Sequence, residues 1–154
     1  MIHFLKRLVG KGKQKKEFFY GPPMNGVRKV RSYKLGTYRA DLLTDIQSNG
    51  SVDYEHVFAV FRESGRPAYF VTSELNPSSA KEDGSHRLGI FDPDGHRNLN
   101  ASDNWADLET FEAEAIKMTK RHFNIQQKAE LMQASKPTHP IPPRVERHIS
   151  VASV

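Results

Sequence analysis

The sequence predicts an α+β domain: an antiparallel sheet of four to five strands packed on one long C-terminal amphipathic helix. Three observations carry this. Residues 37–99 break into short apolar runs separated by Asn, Gly, Asp and Pro turns. Leu108, Phe111, Ala115, Met118, His122, Ile125, Ala129 and Met132 follow one another at spacings of three and four. Such a stripe marks one face of a helix. Charge then divides the 154 residues into an arm, a domain and a tail.

Residues 1–40 carry a net +10, residues 41–124 a net −7, and residues 125–154 a net +2, which together make the overall +5. A basic arm therefore precedes an acidic domain. The expected boundaries are a flexible arm at 1–16, one domain at 17–134, and a Pro-rich disordered tail at 135–154, with strands over about 37–99 and the helix over about 104–134. The chain has no cysteine, which excludes disulfides, thiolate nucleophiles and cysteine-held metals. Met1 to Val9 is interrupted by Lys6 and Arg7 and has no small-residue cleavage site, so it does not read as a secretory leader. No run approaches the ~20 apolar residues of a membrane span. A cytoplasmic protein is the expectation.

In order, Gly10 to Lys16 is flexible and cationic, and Phe18-Phe19-Tyr20 before Gly21-Pro22-Pro23 reads as an aromatic anchor. Val27 to Leu35 reads as an edge strand with a basic outer side. Thr37 to Gln47 alternates, with Tyr38, Ala40, Leu42, Thr44 and Ile46 on one side and only Leu43 out of phase. Ser48-Asn49-Gly50-Ser51 supplies a hairpin turn. Tyr54 to Glu63 and Pro67 to Glu74 are apolar on both sides, the mark of central strands covered above and below. His86 to Asp92 is a further strand, closed by Pro93-Asp94-Gly95. Ser102, Asp103 and Asn104 are candidate helix caps, and Asn124 is a candidate terminator. If the stripe runs on instead, a helix of ~30 residues overhangs the sheet.

The functional reading follows from that overhang. A small non-catalytic binding module, immunity-like or adaptor-like, would dock a protein partner or a second copy of itself. It would use the acidic domain and the residues His122, Ile125, Ala129 and Met132. The alternative is an accessory protein held to an anionic membrane or nucleic acid through Lys11, Lys13, Lys15, Lys16, Arg28, Lys29 and Arg31. A hydrolase or metal enzyme is the third reading.

Residue patterns speak weakly for that third reading. There is no G-x-S-x-G and no phosphate-cradling glycine loop. His86, Asp92, Asp94 and His96 have ligand chemistry, yet a strand between them holds His86 ~20 Å from the turn. A calcium loop opening at Asp92 would need glutamate at its twelfth position, where Asp103 stands. No metal or cofactor is therefore assigned, and no catalytic residue. Pro140-Ile141-Pro142-Pro143-Arg144 matches a short proline-rich ligand pattern.

Overall fold

The structure, a computed structural model, describes residues 21–48, 50–77 and 83–132. Over the described residues it is α+β: a seven-stranded antiparallel sheet with one helix toward the C-terminal end of the sequence. The strands are β1 (Met24–Leu35), β2 (Tyr38–Ser48), β3 (Tyr54–Phe61), β4 (Pro67–Leu75), β5 (His86–Asp92), β6 (Gly95–Ser102) and β7 (Glu130–Met132). A 3-10 turn at Asp103–Ala106 leads into α1 (Leu108–His122). Spatial order is β6-β5-β4-β3-β2-β1-β7. Six strands form a meander, and the chain then crosses by way of α1 to the opposite edge. There Ser32, Tyr33 and Lys34 of β1 pair with Met132, Leu131 and Glu130.

Both faces of the sheet are apolar at its centre. Leu42, Phe58, Val60, Tyr69, Val71 and Leu88 meet Phe111 and Ala115 of α1 on one side. Leu43, Tyr54, Val57, Ala59, Phe70 and Phe91 form a second cluster on the other. This explains the double-sided runs in β3 and β4, which occupy the middle of the sheet. It also explains Leu43, whose lone apolar side chain among the outward positions joins the second cluster. Ile46 packs there too, not beside Tyr38 and Ala40 as its spacing suggests. Asp45 has φ +50, and the β1–β2 register shifts on either side of Arg28. A left-handed residue in a bulged strand swaps the faces beyond it.

The four or five expected strands become seven because β6 and β7 carry little pattern. Six of the eight β6 residues are exposed, and β7 has three residues, all exposed. The expected basic edge strand is present as β1, but β7 covers part of its outer side.

The helix is shorter than the stripe. Its N-cap is Asp107, whose carboxylate accepts a hydrogen bond from the Thr110 N–H at 2.9 Å. Ser102 caps the preceding 3-10 turn instead. At the other end Asn124 adopts φ +53, the Ile125 N–H donates to the Lys120 carbonyl at 2.8 Å, and the Asn124 N–H donates to the Arg121 carbonyl. This paired closure satisfies the last carbonyls and stops the helix. The expected run to 134 is therefore corrected: the helix ends at His122, and among the described residues there is no helical overhang. Ile125, 8% exposed, turns into the core, and Ala129 packs against it. Met132 lies in β7.

Candidate functional site

A groove of about 270 Å³ opens between the C-terminal half of α1 and strands β5 and β6. Its floor is Tyr69, Leu88 and Ile90. Leu99 and Asn100 of β6 form one wall, and Glu114, Met118, Arg121 and His122 of α1 form the other. The floor residues sit on alternate positions of their strands, so the pleat turns all of them toward the helix. On α1, positions 114, 118, 121 and 122 fall at helical spacing on one flank, beside the buried line of Phe111, Ala115 and Thr119.

The end of the groove at the C-terminus of α1 is aromatic. His122 stacks on Tyr69, and Phe123 stands edge-on to both rings, at 5.7 Å from Tyr69 and 4.6 Å from His122. Phe123 in turn stacks on Tyr38 at 4.2 Å. Burial raises the Tyr69 phenol to about 12, with the charge of Asp92 adding to the shift and Arg97 opposing it. Tyr69 therefore stays protonated at neutral pH. Asp92 is itself buried and held by Arg97, 2.8 Å away.

The outer wall is a sheet edge. Among the described residues no strand pairs with the far side of β6. Its apolar side chain, Leu99, is 45% exposed. Neither lysine nor proline interrupts Gly95–Ser102, although such residues commonly blunt an open edge. Its two basic groups are directed to acids: Arg97 to Asp92, and His96 to Glu74.

A second polar cluster lies on the face away from α1. Glu74, 0% exposed, accepts from the Thr72 hydroxyl at 3.0 Å, and His96 Nε2 lies 3.1 Å from the same carboxylate oxygen. His96 stacks on Phe91 at 4.3 Å. Burial raises the neighbouring Tyr54 phenol to about 12, and the Glu74 charge adds to the effect. At one end of the sheet, His56 and Ser73 reach the carbonyls of Ala106 and Trp105 at 2.9 and 2.5 Å and so tether the 3-10 turn. Ser73, which lies across from His56 in the β3–β4 ladder, donates its proton there to a backbone carbonyl. Among the described residues no group of three or more His, Asp or Glu side chains is placed to hold a metal ion.

Of the residues picked from sequence for partner binding, His122 lines the groove and the other three do not. Arg28 pairs with Asp45 at 2.5 Å and Lys29 with Asp41 at 4.0 Å. Arg31 pairs with Glu109 at 3.0 Å and Glu112 at 2.9 Å. Lys11, Lys13, Lys15, Lys16, the aromatic anchor and the Pro140–Arg144 pattern lie outside the described residues. Sequence reasoning missed Tyr69, Leu99 and Arg121 as a site. The available signal was Leu99, a solitary apolar residue in a polar run next to the helix cap. Among the described residues no helix is long and apolar enough to cross a membrane. No family model, curated protein or solved structure matches this chain.

Proposed function

We propose that this domain is a protein-binding module that takes an extended peptide segment as an added strand on β6, with one apolar side chain of that peptide seated in the groove. The observation that carries the reading is the adjacency of an open strand edge and an apolar floor. The β6 backbone supplies hydrogen-bonding groups without a partner strand among the described residues. Tyr69, Leu88 and Ile90 supply a surface that an incoming side chain can dry. Strand addition of this kind draws affinity from main-chain bonds and specificity from pockets for alternate side chains. A groove this small suits one or two side chains rather than a whole drug-sized ligand.

The test is to select peptides on the full-length protein from a random twelve-residue display library, then map one selected peptide by amide hydrogen exchange. Slowed exchange along Gly95–Ser102, lost in Leu99→Lys, is the expected result. Leu99 is exposed, so the variant keeps its fold while filling the mouth of the groove with a charge. Protection elsewhere with β6 unchanged, or no peptide enriched, overturns the reading.

A further inference from the structure

We infer that the peptide taken by this groove is acidic: an apolar anchor residue with an Asp or Glu within about two positions of it. This rests on the groove reading above and adds the chemistry of the partner.

The argument is a local charge balance. Asp92, two residues beyond Ile90 on β5, is 3% exposed and already carries a bidentate contact from Arg97, at 2.8 and 3.4 Å. Its charge is satisfied from within. Glu114 on the helix wall pairs with Lys117 at 3.6 Å. Arg121 lines the same wall and has no ion-pair partner among the described residues. From Lys117 to His122 the helix carries Lys117, Lys120 and Arg121 and no acid. The domain around residues 41–124 is acidic in total, yet the groove presents its uncompensated charge as a cation. Charge complementarity at a rim governs which partner is admitted more than how tightly it is held.

Position follows from helix geometry. Glu114 and Arg121 are seven residues apart, which is ~10 Å along α1, or about three residues of an extended chain. The groove is thus polarised along its length. An acid near the Arg121 end is held, and one near the Glu114 end meets a carboxylate already paired with Lys117 and gains no free cation. A guanidinium also offers paired donors to a carboxylate, which a lysine there would not.

The same selected peptides decide the question. Enrichment of Asp or Glu beside an apolar position is expected. Replacing that acid by its amide in a synthetic peptide should weaken binding about fivefold in ~50 mM salt, with the gap closing near ~500 mM salt. Arg121→Glu should cost the acidic peptide a similar factor and should favour a lysine-substituted peptide over it. Peptides that protect β6 but show no acidic preference, and bind Arg121→Glu unchanged, overturn this inference and leave the groove intact. Peptides that fail to protect β6 overturn the groove reading itself.

Discussion

The imidazole of His122 lies flat on the ring of Tyr69, with 4.4 Å between centroids and 15° between planes. Tyr69 is rooted in the central strand β4, and His122 is the last residue of α1. The contact therefore fixes the end of the helix over the sheet and sets the width of the groove. His122→Ala should lower the free energy of unfolding by about 1 kcal/mol, the usual worth of an aromatic pair beyond its area. His122→Phe should keep most of it. Urea titration of the three proteins checks this; equal midpoints would show that the stack carries no load.

Gly89 lies across from Thr72 in the β4–β5 ladder. A Cβ at Gly89 would overlap Glu74 Oε2 and Thr72 Oγ1. The missing side chain is what makes room for a buried carboxylate. Gly89→Ala should destabilise by about 2 kcal/mol through overpacking. In a Glu74→Ala background the same change should cost less, because one of the two colliding groups is gone. A double-mutant cycle measures the coupling, and additive losses would contradict it.

Glu112 is buried between α1 and β1, where it accepts from the Tyr33 hydroxyl and pairs with Arg31. Burial raises its proton affinity, and the Arg31 charge opposes the shift without cancelling it. A carboxyl with a raised folded pKa binds its proton more tightly folded than unfolded. Its stabilising contribution is thus complete in acid and declines as pH rises from the ordinary glutamate value through the folded one. The stability advantage of wild type over Glu112→Gln should shrink across that window. A gap that widens with pH would mean that the Arg31 pair dominates.

The residues after α1 give a test of the chain's path. Ile125 is 8% exposed and Leu131 is 60% exposed. Ile125→Ala should cost about 3 kcal/mol, as for other buried aliphatic truncations. Leu131→Ala should stay within about 0.5 kcal/mol. A helical overhang would reverse nothing at Leu131 but would make Ile125 nearly neutral, so thermal unfolding of the pair separates the two paths.

The central strands were legible because burial on both faces leaves apolar residues at every position, as in Val57-Phe58-Ala59-Val60. Asn124 was legible as a stop, since asparagine tolerates the left-handed conformation that it adopts. The stripe beyond it misled for a physical reason. Spacings of three and four place residues on one side of a helix, but a chain folding back over a core can bury Ile125 and Ala129 at the same interval. β6 was illegible because an edge strand needs few apolar residues, and β7 because three residues hold no period. The groove followed them into obscurity: its floor lies on readable strands, but one wall is an element that hydrophobic pattern does not reveal.

β7 meets β1 through Ser32 and Met132, a hundred residues apart, whereas every other strand pairs with its immediate neighbour in sequence. On a ribosome the first six strands can zip hairpin by hairpin while the flank of β1 waits for the last one to emerge. During that interval an uncapped strand is offered to other nascent chains. Arg28, Lys29, Arg31 and Lys34 sit along it. Cationic side chains on an edge discourage sheet-to-sheet association. The basic residues of β1 thus suit an edge that stays open until the end of synthesis.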